Sequence, residues 1–296
     1  MSTSNYFDNK TCFLEPKVEQ FGSSMVMTNV HKPTKKRFVN IDSRFIENEP
    51  SVDQEYTLNL SERISDVKSI RVHSVQIPMS FFNVSSILGN NSVYVDSMEV
   101  PINIQDSFYS DIGSLITEIN ATLASHNLHD IVVSNTNNQI MITNNSTTKS
   151  HTIYWNYSQD KIKSSLGWIL GFRKHSYIIP HGKHIISEKV YNLATIRYIY
   201  LILDEFASSL QNTFVSSLPR SSLNKNILAR IEIDMNFYPF GTILRANEFT
   251  YLCSERRVYK GKTDLLKLKL QLVNEWGNPI DLNGLDWGCL LEVDYE

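Results

Sequence analysis

A mainly β fold, an antiparallel sandwich with one small helix-bearing insert, is the class this sequence predicts. Three observations carry it. Short stretches of alternating apolar and polar residues recur along most of the 296 residues. The composition favours Ile, Thr and Tyr, side chains that suit a pleated, half-buried surface. Helical spacing, in contrast, is sustained in one stretch, 110–126.

Taken in order, residues 1–36 show no sustained periodicity and read as an extended arm, with a boundary at His31-Lys32-Pro33. Strands begin at RFVNID (37–42) and EYTLNL (55–60). VKSIRVHSVQIP (67–78) follows, and its apolar phase slips by one residue between Val72 and Val75. That slip predicts a β-bulge near His73 and Ser74, and Pro78 predicts the strand's end. SVYVDSMEVPINI (92–104) reads as a hairpin.

In SDIGSLITEINATLASH, Ile112, Leu115, Ile116, Ile119 and Leu123 form one apolar stripe, and Ser110 is the expected N-cap. A polar hairpin (IVVSN, then QIMIT) and the segments HTIYWNY and SSLGWILGF complete an αβ insertion at about 105–175. TIRYIYLILDEF (195–206) is apolar on both faces and reads as a strand covered on both sides.

ILARIEIDM (227–235) alternates, with Ile227, Ala229, Ile231, Ile233 and Met235 on one face. LLKLKLQLV (265–273) sets Leu266, Leu268, Leu270 and Leu272 opposite Lys267, Lys269 and Gln271. The final stretch sets Trp287, Cys289, Leu291, Val293 and Tyr295 opposite Gly288, Glu292, Asp294 and Glu296, so the sequence is read as running to its last residues in strand. Gly277-Asn278-Pro279 and Asn283-Gly284 form turns between the two. Many strands around one helix-bearing insert predict a single jelly roll over residues 37–296.

Hydrophobic residues at 42% and charged residues at 20% predict a folded chain rather than a disordered one. A net charge of −3 argues against nucleic-acid wrapping, which needs a basic excess. No apolar run approaches membrane-spanning length, and MSTSNYFDNK lacks a signal core, so a reducing, non-secretory compartment is expected. Cys12, Cys253 and Cys289 have no framework spacing, and Cys289 reads as a small buried hydrophobe.

Motifs for catalysis are weak. Gly261-Lys262-Thr263 has the end of a phosphate loop, but Arg256 stands where the motif needs glycine and a strand follows instead of a helix. His175, His181 and His184 are the candidate metal ligands, without an evident carboxylate partner. His126 and His129 close the expected helix and suit its dipole. Lys35-Lys36-Arg37 and Glu255-Arg256-Arg257 read as solvated turns. Catalysis therefore has little support in the sequence.

Several stretches in order carry a resemblance. They are RFVNIDSRF (37–45), VKSIRVHSVQIPMSFFNVSSILGNNSV (67–93), SSLGWILGF (164–172), RYIYLILDEF (197–206), ILARIEI (227–233) and KLKLQLVNEWGNPIDLNGLDWGCLLEV (267–293). Together they resemble the penton (vertex) and related minor capsid proteins of nucleocytoplasmic large DNA viruses, the giant viruses. The resemblance implies a virion capsid subunit, made and assembled in the host cytoplasm, with no enzymatic activity and no cofactor. It would form pentamers at five-fold vertices and contact the major capsid protein and other minor capsid proteins. The positions that transfer are structural: Asn40, Asp42, Ser43, Arg44, Gly167, Gly171, Gly277, Asn283, Gly284 and Asp286.

Trp155, Trp168, Phe172, Tyr177, Tyr238 and Phe240 lie near expected loops or strand ends and are candidate interface aromatics. Alternatives are a minor capsid protein beneath the major layer, a jelly-roll glycan- or host-binding module at a spike base, and a cupin-like metalloenzyme using the histidines.

Overall fold

The structure is a computed structural model that describes residues 33–46, 54–157, 159–206 and 226–296. Most of the expected arm lies outside the described residues, as does Cys12. Strand β1 (Lys35–Asp42) runs into a 3-10 turn, Ser43–Phe45. Then come β2 (Glu55–Pro78), β3 (Ser92–Val95), β4 (Ile102–Asn103) and helix α1 (Ile112–Ser125). Strands β5 (Ile131–Thr136), β6 (Gln139–Asn144) and β7 (His151–Tyr154) precede the short helix α2 (Leu166–Ile169). Strands β8 (Ser176–Ile179) and β9 (His184–Ile186) follow. The chain continues through β10 (Tyr198–Asp204), β11 (Ile227–Glu232), β12 (Ile243–Asn247), β13 (Leu252–Cys253), β14 (Arg257–Asn274) and β15 (Gly288–Tyr295).

The main sheet is antiparallel, in the order β1-β15-β2-β14-β10-β11-β13, with β12 also on β2. Two long strands let it curl into two layers. The first half of β2 (Tyr56 to Ile64) pairs with Leu265–Leu270 of β14. Its second half (Val67 to Gln76) pairs with β15, and Ser74 to Pro78 pair with β12. At the corner, Asp66 takes a left-handed φ of 54°, and its amide donates to Asp264 Oδ1 at 3.1 Å. Repeated register shifts in β14 between Val258 and Lys267 bend the partner strand alongside.

One core fills the space between the layers. Val67, Ile70, Val72, Val75 and Ile77 of β2 meet Leu268, Leu270 and Leu272 of β14, Leu291 and Val293 of β15, and Ile199, Leu201 and Leu203 of β10. Each buried aliphatic side chain of this kind contributes about 1.5–3 kcal/mol relative to exposure. The architecture is mainly β and jelly-roll-like.

A second core lies between β2 and β10 in sequence. The buried stripe of α1 (Ile112, Leu115, Ile119, Leu123) packs with Ile131 and Val133 of β5 and with Ile140 and Ile142 of β6. Trp155, Leu166, Phe172 and Ile179 continue that core. The β5–β6 turn places Asn137 and Asn138 at φ 51° and 63°, the paired left-handed geometry of a two-residue hairpin.

The expected bulge is present: Val72 and Ser74 oppose Leu291 and Leu290, leaving His73 as the extra residue. The hairpin at 92–104 forms as β3 and β4. Other expectations are corrected. The stretches 55–60 and 67–78 are one strand, with Ile64 paired to Leu265 of β14 between them at the corner. The N-cap of α1 is Asp111 rather than Ser110. Asp111 is extended and accepts the Ser114 amide at 3.0 Å, while the Ser110 hydroxyl only reaches Asp111.

Leu266 is half exposed, because a register shift beside it turns Leu265 inward instead. Strand β10 buries only Ile199, Leu201 and Leu203, and its other face is half-buried. Cys289 is buried, and desolvation pushes its thiol up to about 12.

Two charge groups read as solvated turns are also corrected. Arg257 is fully buried. It donates to Glu205 Oε2 at 2.8 Å, to the Leu203 carbonyl at 2.9 Å and to the Asn226 carbonyl at 2.7 Å. Tyr259 Oη donates to the other Glu205 oxygen at 2.5 Å, so this buried carboxylate has two partners. Arg256 and Lys36 converge with Arg71 on Glu292, which is 2% exposed. Burial works to raise the Glu292 pKa, but hydrogen bonds from Lys36, Arg256 and Arg71 hold it at about 2.

Candidate assembly surface

Sheet registry fixes which loops share an end. Asp42 at the end of β1 pairs with Gly288 at the start of β15, Gly288 also pairs with Gln76, and Pro78 pairs with Ile243. The 3-10 turn, the turn before β15 and the start of β12 therefore meet at one end of the sheet. Residues 243 positions apart come into contact there: the Ser43 hydroxyl donates to Asp286 Oδ1 at 2.7 Å. The Trp287 amide donates to Ser43 Oγ and the Ser43 amide to the Trp287 carbonyl, each at 3.0 Å.

Asp42 caps the turn, accepting the Arg44 amide at 3.1 Å, and grips the guanidinium through both oxygens, Nε–Oδ1 at 3.0 Å and NH2–Oδ2 at 2.6 Å. That pairing holds the Asp42 carboxyl below its usual range. Asp42, Arg44, Gln76, Ile243, Asp286 and Trp287 line a shallow concavity of about 280 Å³.

The neighbouring turn, 281–284, is built by backbone geometry. Asn283 sits at φ 53° and Gly284 at φ 75°. Asn283 Nδ2 donates to the Ser80 carbonyl at 2.5 Å, and the Ser80 hydroxyl donates to the Leu282 carbonyl at 2.7 Å. The polar framework thus holds its turns open, and large apolar side chains project from them. Phe45 is 78% exposed, Leu285 52%, Ile243 52% and Phe240 41%. Single exposed apolar residues are ordinary; four on one rim of held turns form a candidate contact surface.

The other sequence-marked residues are placed elsewhere. Asn40 is exposed on β1 opposite Leu290. Gly277 adopts φ 85° in the turn after β14. Gly167 and Gly171 belong to the second core. A Cβ on Gly167 would sit 2.2 Å from the Trp155 ring, and one on Gly171 would sit 2.1 Å from the Lys189 carbonyl oxygen.

Trp155 and Phe172 are buried and stack at 5.1 Å, so they occupy that core rather than the surface. Trp168 is half-buried under the Arg173 guanidinium, 3.9 Å from the ring centre. Tyr177 is half-buried and donates to Glu188 at 2.7 Å. Tyr238 packs edge-on against Tyr251, and Phe240 stacks on Phe108 at 4.6 Å. Of the six aromatics, Phe240 alone belongs to the rim of held turns.

His175, His181 and His184 do not converge. His181 and His184 are exposed around the start of β9, and the His175 carbonyl accepts the Trp155 amide. Among the described residues, no group of three or more His, Cys, Asp or Glu side chains is placed to hold a metal ion. No helix among the described residues is long and apolar enough to cross a membrane.

Phe45, Leu285 and Ile243 were not singled out in the sequence. The only available signal was an isolated large apolar residue just past a strand end.

The chain thus belongs to the class of mainly β, jelly-roll-like proteins. Among solved structures, it is similar to the mavirus penton protein at 12% identity and a TM-score of 0.45, with 88% of this chain and 100% of that one covered. It is also similar to a chain of the Sputnik virophage at 12% identity and a TM-score of 0.44, covering 89% of this chain and 98% of that one. No family model matches the sequence, and no curated protein matches it.

Proposed function

We propose that this protein is a structural virion component, a penton subunit that forms pentamers at the five-fold vertices of an icosahedral capsid. In this reading the 37–296 body is the jelly roll, about 105–175 is its insertion, and residues 1–36 are an arm that docks on a neighbour. The major capsid protein surrounds the pentamer, and assembly takes place in the host cytoplasm. The role is architectural and involves no catalysis.

The observation that carries the reading is the rim of Phe45, Leu285, Ile243 and Phe240 on hydrogen-bonded turns at one sheet end. Rigid turns presenting apolar side chains suit subunit contacts, because little ordering entropy is lost on association. Around a five-fold axis this patch meets a different patch on the next copy, a head-to-tail arrangement that closes into a ring. The ordered sequence resemblance to vertex proteins supports the same role.

Reconstruction of assembled particles tests it. Density for this chain at the five-fold axes, with residues 43–45 and 281–287 against a neighbouring copy, is the expected result. Density beneath the major capsid layer and away from those axes would refute the vertex role.

A further inference from the structure

Strand β1 ends the main sheet and pairs with β15 alone among the described residues. The first half of β2 pairs with β14 on one side, and no strand flanks its other side among the described residues. A concavity of about 320 Å³ lies between these two free edges. Every residue from 37 to 42 and from 58 to 62 lines it. Side chains alternate along a strand, so an unbroken run of lining residues means that strand edges form the walls.

The main core is open along this groove. Ile41 and Ile64 are buried, whereas Val39, Leu58 and Leu60 pack against the core and stay half-buried. Arg37 and Glu62 pair across the groove, so the charges of its two walls neutralise each other. Lys35, Lys36 and Arg37 guard the start of β1, but Phe38, Val39, Asn40 and Ile41 carry no charge that would discourage pairing. A free edge of this kind is a template for an added strand.

We infer that residues 25–30 of a neighbouring copy add to the free edge of β1 and close this groove, an exchange of strands between adjoining subunits. The inference rests on the reading that the N-terminal arm docks on a neighbour, and it names the place. Residues 20–30, QFGSSMVMTNV, carry no charge, which suits a groove whose own charges are already paired. Within them Val26, Thr28 and Val30 fall on one side of an extended chain and Met25 and Met27 on the other. Neither Pro33 nor Thr34 takes the left-handed φ of a tight two-residue hairpin, so the chain does not double straight back onto its own β1. Residues 31–34 instead give a connection of up to about 17 Å, which crosses to a copy whose groove lies beside the start of β1.

Cross-linking between two differently tagged full-length copies tests it, in a background of Cys12→Ser and Cys253→Ser. One copy carries Val26→Cys, the other Asn59→Cys, and a short bismaleimide joins them after co-assembly. Asn59 is exposed, as is Glu99 on the insert, where Glu99→Cys serves as the control; thermal melting checks that each variant folds. The expected product links the two tags, needs both cysteines and does not form with the control. Adding Thr28→Pro, which removes a strand amide from the arm and leaves the body untouched, should lower the yield about tenfold or more. Three results would overturn the inference: no product above the control, as when another segment or another protein fills the groove; a product only within one copy carrying both cysteines; or a yield indifferent to Thr28→Pro. Native mass spectrometry separates this from the vertex reading. Pentamers without the product refute the exchange alone, whereas the product in an assembly of another size supports the exchange and counts against the vertex role.

Discussion

Replacing Glu292 with Gln tests the electrostatic account of the outer sheet face. The carboxylate is 2% exposed and is held by Lys36 at 2.8 Å, Arg256 at 2.6 Å and Arg71 at 2.6 Å. Glu248 and Asp294 share the two arginines, and His73 Nδ1 stands 3.9 Å from Glu292. The Glu292 pKa falls from an ordinary 4.5 to about 2. At about 1.4 kcal/mol per pH unit, that drop corresponds to about 3 kcal/mol of folding stability.

Because the folded value is depressed, the contribution is complete well above pH 4.5 and is lost as pH falls through about 2. Urea unfolding of wild type and Glu292→Gln, followed by tryptophan fluorescence, should show a gap of about 3 kcal/mol at neutral pH. The gap should shrink to about half or less near pH 3. A neutral-pH gap below about 0.5 kcal/mol would refute the reasoning, since that is the size expected of an ordinary surface pair. A gap independent of pH would refute it equally.

Three further outcomes follow from buried contacts. Gly167→Ala drives a methyl group into the Trp155 ring and should cost about 1–3 kcal/mol by thermal melting, with loss of near-ultraviolet tryptophan dichroism. Arg257→Met leaves Glu205 charged and buried with Tyr259 as its remaining side-chain partner. It should cost about 3–5 kcal/mol in urea unfolding, and the double variant with Glu205→Gln should recover part of that loss. His151 is buried with Nδ1 at 3.0 Å from Asp96 and Nε2 at 2.8 Å from Asp130, and these contacts help hold both carboxyls below their usual range. In His151→Phe, carboxyl titration by NMR should move both aspartates upward, and about 1–3 kcal/mol of stability should be lost.

Local pattern made much of the fold legible. Strands β1, β11 and β15, the stripe of α1 and the Asn137-Asn138 hairpin each follow from periodicity or turn chemistry confined to a few residues. Even the bulge at His73 left a mark, because an extra residue shifts the apolar phase. What could not be read depends on distant partners. The corner at Asp66 is stabilised by Asp264, and Leu266 turns outward because its strand slips against β2.

Alternation placed Glu292 on the outer face, and so it is, but three cations from separate segments, Lys36 of β1, Arg71 of β2 and Arg256 just before β14, seal it from water. Arg257 has its carboxylate partner 52 residues away, and no spacing rule reports such a pair. The candidate assembly surface was half visible. Asp42, Ser43, Arg44 and Asp286 stood out as motif positions, whereas the apolar residues on their rim become a patch only once β1, β15 and β12 are in register.

Native mass spectrometry of the purified full-length chain tests the central claim most directly. The account predicts an assembly of five times the 34.1 kDa subunit mass, dissociated to monomers by Phe45→Ser combined with Leu285→Ser at the sheet end. A chain that stays monomeric at high concentration, or a pentamer that survives both substitutions, would contradict it.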